Sequence, residues 1–533
     1  MAGPGNDPHD SPVDAVALLG LLVLGLVVLT PVADRIGVPQ PVLLTIYGLG
    51  LGAVPFVPAP DVPPDLILPL VLPPLLFAAT QSTSLRELRA AARPILGLAV
   101  GLTVLTAAAV AVVGHVLGLP WAVAVVLGGI VSPPDPVAAT AVARRLRLPP
   151  RLVTVLEGEG QFNDATALVI YQLSVMAVVT GGVGAAEIGW GLAVAVVGGV
   201  VLGLAGGWLA RKALGRLHDP ATETTVTLAV PFGLYLLAER AGASGVLAVL
   251  VAGLYLRDTA TREVTSAGWL LGRQVWQYVD FAVSGLLFAF LGVELTKVLG
   301  STSLLRDGST LTLAAAVTGV LVVARAVTMA TASAVVGRRA RRADSATPSG
   351  WRESAVAAWA GMRGVVTVAT ALALPLTVTG GTLFPDREQV VRVSLLVVIG
   401  TLVLQGLTLA PLIRRLGVAS DVDVRSDARR LHRLATEAAL DRLRKIHDVP
   451  EEVRAVVLRQ YESRLGYRNS VLDLVDGEAG GADAGRQLRD LLARATEAER
   501  EAVLEARRRG DVSPEAADDV LFDVEARALR YGS

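Results

Sequence analysis

The chain has 533 residues, 53% of them apolar and only 18% charged, with 54 glycines, a formal net charge of zero and no cysteine; its mean hydropathy is +0.56. Such a chain is too apolar for a soluble protein of this length and reads as a polytopic membrane protein of the all-α class. The charge balance excludes a generally basic nucleic-acid binder, and the lack of cysteine excludes disulfides and thiolate metal sites.

Residues 1–12 form the N-terminal segment, expected to be extracellular. Met1 to Ser11 carry no Lys or Arg, so the basic n-region of a cleaved signal peptide is missing and the first apolar run is expected to stay as a span. Apolar runs of spanning length follow near 13–33, 39–57, 63–80, 94–117, 120–143, 152–180, 187–210, 221–239, 243–256, 274–296, 309–336, 353–379 and 389–413, about thirteen spans in all. The connecting charges alternate. Arg35, then Arg86, Arg89 and Arg93, then Arg144, Arg145, Arg147 and Arg151, then Arg211, Lys212 and Arg216, then Arg257, Arg262 and Arg273, then Arg338, Arg339, Arg341, Arg342 and Arg352 fill the odd-numbered connections, and Arg414 and Arg415 follow the last span. Only Arg240, Lys297, Arg306, Arg387 and Arg392 stand on the other side. Because basic loops stay cytoplasmic, this pattern puts the N-terminus outside and the C-terminus inside; the membrane is expected to be the plasma membrane.

Two spans break. The fifth holds Ser132-Pro-Pro-Asp-Pro136 and the twelfth Gly361-Met-Arg-Gly364; prolines remove backbone donors, and freed backbone at membrane depth is tolerated only in a cavity or inside protein. The two breaks are seven spans apart, so they run in opposite directions, the mark of inverted repeats whose two broken helices cross at a site. The sixth span supplies Glu159, Asn163 and Asp164 inside Glu157-Gly-Glu-Gly-Gln-Phe-Asn-Asp-Ala-Thr-Ala-Leu-Val169. Glu159 and Asn163 lie one turn apart on one face, with Asp164 beside it. At 1.5 Å per residue from the nearest cytoplasmic arginine, Asp164 and Arg325 lie about 20 Å deep, Arg363 about 17 Å and Asp135 about 14 Å. Ionisable groups at that depth need partners or a wet cavity and by default mark an ion or proton path. Glu159 is therefore paired with Arg325, leaving Asp164 to bind. For Arg363 the alternative is a tether to backbone carbonyls, and for Asp135 a cap on the exposed amides of a broken helix.

After Arg415 the chain becomes charged and helical. Leu431, Leu434, Ala438, Leu440 and Leu443 make a helical stripe, Gly477 to Gly485 a flexible break, and Ser513-Pro-Glu a helix start. Residues 416–533 are expected to form a cytoplasmic helical tail without catalytic residues. The scattered histidines, His9, His115, His218, His432 and His447, offer no zinc-type spacing.

Residues 13–415 resemble the monovalent cation/proton antiporter superfamily, in particular its electroneutral sodium/proton exchanger branch. Glu159-Gly-Gln-Phe-Asn163-Asp164 is similar to the signature whose Asp carries cation and proton in turn. Asp135-Pro-Val resembles the unwound helix, Pro73-Pro-Leu-Leu-Phe77 the third-span motif, Ala324-Arg325 the arginine that pairs with the signature Glu, and Gly361-Met-Arg-Gly364 the second break. The resemblance implies a homodimer, with core spans within about 94–180 and 309–413 moving against dimerisation spans within about 13–80 and 187–296. It implies Asp164, Asn163, Asp135 and the Pro134 carbonyl as the ion and proton site, Asp164 being the ligand of Na⁺ or K⁺. The departures are Gly160, Pro134 and Ala78, where the family has a Ser, commonly a Thr, and in many members an acid; they thin the side-chain oxygens around the cation.

The expected function is secondary active exchange of Na⁺, or of K⁺ or Li⁺, for H⁺, without cofactor and without enzymatic activity; a K⁺-selective antiporter is the nearest alternative. A cation channel would use the same carboxylate, but paired broken helices suit alternating access. An intramembrane aspartyl hydrolase would need Asp135 and Asp164 to share a proton, and mid-membrane Arg325 and Arg363 favour both carboxylates ionised.

Overall fold

The computed structural model describes residues 12–36, 38–54, 63–81, 92–135, 146, 148–181, 184–260, 263–300, 308–339, 350–418, 424–465, 482–509, 512 and 514–531. Residues 1–11, the second half of the fifth span beyond Asp135, and Arg86, Arg89, Arg144, Arg145, Arg147, Arg262, Arg306, Arg341 and Arg342 lie outside the described residues. In chain order the helices are α1 (Pro12–Ile36), α2 (Gln40–Gly52), α3 (Pro64–Gln81), α4 (Ala92–Leu96 and Thr103–Val116, joined by a π-helical stretch, Gly97–Leu102), α5 (Trp121–Val131), α6 (Pro150–Thr180) and α7 (Ala185–Ala193 and Gly199–Leu214, joined by a π-helical stretch, Val194–Gly198). They continue with α8 (Pro220–Arg240), α9 (Gly245–Thr259), α10 (Ser266–Gly300), α11 (Gly308–Arg339), α12 (Trp351–Trp359), α13 (Val365–Leu372), α14 (Arg387–Leu416), α15 (Val424–Arg444), α16 (Glu451–Leu465), α17 (Ala482–Arg509) and α18 (Pro514–Tyr531). The chain is all-helical apart from an isolated bridge between Thr377 and Leu383 among the described residues.

Nine helices among the described residues are long and apolar enough to cross a bilayer, with Gln40–Gly52 and Trp121–Val131 as shorter apolar helices. Large apolar side chains point outward along them, including Val16, Val23 and Val27 on α1, Val104 and Val112 on α4, and Val197, Val201 and Trp208 on α7. Water would not tolerate so much exposed apolar surface on one protein, whereas lipid does.

The two breaks occur where the sequence puts them. α5 stops at Val131, before Pro133 and Pro134, and the twelfth span is two helices, α12 and α13, with Ala360–Gly364 between them non-helical. The predicted span continued to residue 379, but α13 ends at Leu372. Pro375 explains the earlier stop, since the residue before a proline is pushed out of the helical region.

By internal contacts the chain divides into two compact units. The first comprises 1–210, 228–258 and 276–420; the second comprises 211–227, 259–275 and 421–533. Within the first unit, helices touch through small residues. A methyl group on Gly48 of α2 would overlap the Ala289 carbonyl of α10, and one on Gly292 of α10 would overlap the Thr45 carbonyl of α2. In lipid, where apolar burial between helices gives little, such backbone-to-backbone approach is what holds helices together.

The second unit is a helical bundle built on polar segments between spans. Trp269 and Leu270, in the first turns of α10, are buried in one core with Leu431, Ala435, Val503, Val520 and Val524. Thr265 caps α10, its hydroxyl accepting the Gly268 amide at 3.0 Å and donating to the buried Glu223 carboxylate at 3.0 Å. Arg273 Nη1 donates to the Asp518 carbonyl at 2.7 Å, and its guanidinium lies 5.5 Å from the Trp269 ring and 6.0 Å from the Phe522 ring.

The predicted tail stripe needs one correction. Leu434 is 38% exposed, and the buried face of α15 includes Leu431, Ala435, Ala439, Leu440 and Leu443, because the two alanines allow α17 to pack closely. Ala482 to Gly485 already belong to α17 rather than to a flexible break, and 477–481 lie outside the described residues. The helix predicted at Ser513-Pro-Glu begins at Pro514.

Gly292→Val should destabilise the detergent-solubilised protein by about 1–3 kcal/mol through overpacking. Gly20→Val, at a position with open space, should leave the thermal midpoint unchanged.

Candidate functional site: two broken helices around buried charges

The crossing of the breaks is a direct hydrogen bond, in which the Asp135 amide donates to the Met362 carbonyl at 2.7 Å. Everything else at the site is arranged around the helix ends this crossing creates. Each interrupted helix leaves carbonyls without amide partners at one end and amides without carbonyl partners at the other, with the helix dipole adding negative and positive character respectively.

Both buried arginines sit at such carbonyl ends. Arg363, 3% exposed, donates from Nε to the Val131 carbonyl at 2.7 Å, from Nη2 to the Ser132 carbonyl at 3.1 Å and from Nη1 to the Gly361 carbonyl. It therefore tethers the end of α5 to the α12–α13 break. Arg325, also 3% exposed, donates from Nε to the Ala357 carbonyl near the end of α12 at 3.0 Å. Its two terminal nitrogens meet Glu159 as a fork, Nη1 to Oε1 at 2.5 Å and Nη2 to Oε2 at 2.9 Å. This bidentate geometry gives the buried carboxylate both of its partners from one side chain.

Asp135 takes the opposite end. A methyl group at Gly364, the N-cap residue of α13, would overlap the Asp135 carboxylate. The carboxylate thus stands where an N-cap side chain would stand, against the positive end of a half-helix. Likewise a methyl group at Gly361 would overlap the Arg325 side chain, so both glycines of Gly361-Met-Arg-Gly364 admit a neighbour's charged group.

The carrier candidates lie on α6. Asn163 is fully buried, and its Nδ2 donates to the Pro134 carbonyl at 3.4 Å; Asp164 is 9% exposed. Asn163 thereby connects the sixth span to the residue before Asp135. All seven residues singled out in the sequence, Pro134, Asp135, Glu159, Asn163, Asp164, Arg325 and Arg363, lie at or beside these two breaks, on α6 and on α11. Three contributors were not found from sequence. Thr401 of α14 accepts the Arg363 amide at 3.1 Å. Ala357 contributes only a carbonyl, which no side-chain pattern reveals. Thr367 of α13 is fully buried and its hydroxyl has no hydrogen-bond partner among the described residues. For Thr367 the available signal was a polar residue on a short, largely apolar helix; Thr401, on the 30-residue α14 with several other polar residues, offered none.

Removing one member of a buried ion pair strands the other and costs about 3–5 kcal/mol. Arg325→Ala should therefore lower the melting temperature of the solubilised protein sharply, and the double variant Arg325→Ala with Glu159→Gln should lose less than the sum of the single losses. A near-additive result in that cycle would contradict the pairing.

Known proteins can now be set beside this geometry. Residues 21–415 match the family described as sodium/hydrogen exchanger, transmembrane. The uncharacterized Na⁺/H⁺ exchanger Rv2287 of Mycobacterium tuberculosis is 32% identical over 505 residues, covering 93% of this chain and 91% of its own length. The Na⁺/H⁺ antiporter ApNhaP of Aphanothece halophytica is 30% identical over 410 residues, 76% of this chain and 74% of its own. The structure of the sodium proton antiporter MjNhaP1 from Methanocaldococcus jannaschii superposes with a TM-score of 0.58 at 19% identity, over 76% of this chain and all of that one, which shows the common fold. With a family match across most of its length and a relative spanning nearly all of it, the chain belongs to the transmembrane sodium/hydrogen exchanger family.

Proposed function

We infer that the protein is a secondary active antiporter that exchanges Na⁺ for H⁺ by alternating access, with Asp164 as the group that carries each in turn. The observation that carries this reading is the division of labour among buried charges. Glu159 is held by both terminal nitrogens of Arg325, Arg363 is spent on carbonyls, and Asp135 lies against the start of α13. Asp164 remains as the carboxylate beside the crossing, next to an amide that does not titrate.

The stoichiometry follows. One carboxylate alternating between a proton and a monovalent cation returns across the membrane with the same net charge in either form, so exchange is one for one and electrically silent. The Pro134 carbonyl, the Asn163 side chain and Asp135 lie around the same crossing and supply oxygens of the kind that hard cations take. K⁺ and Li⁺ are tested as alternative cargo; no cofactor enters the cycle. In this reading the protein sits in the plasma membrane with thirteen spans, N-terminus outside, and works as a homodimer whose core helices move against a fixed interface. Its tail tunes the cycle rather than carrying ions.

Asp164→Asn should insert and fold normally yet stop Na⁺-driven proton movement in proteoliposomes; wild-type exchange rates in that variant would remove Asp164 from the role. Flux should also be indifferent to a membrane potential set with K⁺ and valinomycin, and a clear potential dependence would require a second titrating group. A chain ending at Gly417 should retain exchange with a changed pH profile, measured in the same vesicles.

A further inference from the structure

We infer that the Thr367 hydroxyl is a ligand of the transported cation, so that the second broken helix contributes to cation affinity as well as to the crossing; this rests on exchange at Asp164. Thr367 is the third residue of α13, which begins at Val365 after Gly364. In a capped helix the N-cap side chain faces the amides of the second and third residues. The group standing in that place is the Asp135 carboxylate, since it occupies the space of a Gly364 side chain. Thr367 therefore adjoins Asp135 at the start of α13, and α13 packs against both α5 and α6.

Its hydroxyl differs from those of Thr370 and Thr401. Thr370 donates back to the carbonyls of Val366 and Thr367 at 2.8 and 3.1 Å, and Thr401 donates to Val397 and Val398 at 2.9 and 3.0 Å. Those threonines satisfy themselves within their own helices. Thr367 does not: its hydroxyl bonds to no carbonyl of its own helix. Its Oγ1 is thus fully buried with no partner among the described residues, a state that a buried polar atom sustains only at a loss of stability. The side-chain oxygen of Asn163 is in the same condition: Nδ2 is bonded to the Pro134 carbonyl, while Oδ1 is buried and without a partner among the described residues.

Two neutral oxygens left unsatisfied, one on each side of a crossing that also holds Asp135 and Asp164, have a common explanation in a ligand that visits and leaves. A dehydrated monovalent cation takes oxygen ligands and supplies what both atoms lack. A proton on Asp164 needs neither oxygen, so the two cargoes depend on Thr367 differently.

The experiment compares wild type, Thr367→Val and Thr367→Ser in proteoliposomes, reading the apparent KM for Na⁺ and for Li⁺ at fixed pH, together with the rise in melting temperature that Na⁺ gives the solubilised protein. Thr367→Val keeps the shape and removes the oxygen. It should raise the KM for Na⁺ about tenfold, as expected for losing one oxygen contact to a charge, and reduce the Na⁺-induced melting shift at a given Na⁺ concentration while leaving the melting temperature without Na⁺ unchanged or higher. Thr367→Ser should recover both readouts. If Thr367→Val does not insert, Thr367→Ala removes the same hydroxyl without bulk and makes the same comparison. An unchanged KM and melting shift in the hydroxyl-free variant, as for a hydroxyl that merely holds a buried water, overturns the inference, and so does a fall in kcat at constant KM. Failure of the wild type to couple Na⁺ to protons would instead overturn the exchange reading.

Discussion

The site depends on one constraint: a charge taken into the middle of an apolar protein must find its compensation in fixed groups, because water is not there to supply it. Here much of that compensation comes from broken helices. Arg363 and Arg325 neutralise the carbonyl ends of α5 and α12, Asp135 meets the amide end of α13, and Arg325 has enough donors left to hold Glu159. The breaks and the charges therefore explain each other. Continuous helices would leave Arg363 without acceptors, and apolar residues in place of the arginines would leave carbonyls unpaired at membrane depth.

This mutual dependence gives the site its selectivity of roles. An arginine bound to three carbonyls and a glutamate bound to a fork are both committed to structure, and the proposed exchange at Asp164 rests on that commitment. The glycines at 361 and 364 make the commitment possible, since each vacates the volume that Arg325 or Asp135 fills.

The sequence made the architecture legible because lipid enforces strong signals. Apolar runs of fixed length located the helices, prolines in mid-span the first break and glycines around a charge the second, and opposite charges at matched depth led to the Glu159–Arg325 pair. Backbone participation was not legible: Ala357, Val131 and Ser132 act through carbonyls, and side-chain pattern is silent about these. For Asp135 a cap on the amides of a broken helix was among the readings, but not which helix end, since that end lies more than 200 residues away in sequence. In the tail, Leu434 looked like part of the buried stripe, yet close helix approach at Ala435 and Ala439 turned that stripe and left Leu434 exposed.

The second unit is assembled from segments far apart in the chain, and that has a consequence for biogenesis. Trp269 and Leu270 are synthesised well before the α15, α17 and α18 residues that bury them, with about 150 residues between Val275 and Asp421. At ribosomal speeds of about 5–20 residues per second, that interval lasts on the order of ten to thirty seconds. During it a tryptophan and a leucine remain uncovered at the start of a spanning helix already being inserted. Removal of this aggregation hazard therefore waits on α15, α17 and α18 together, helices translated only after the spans have been made.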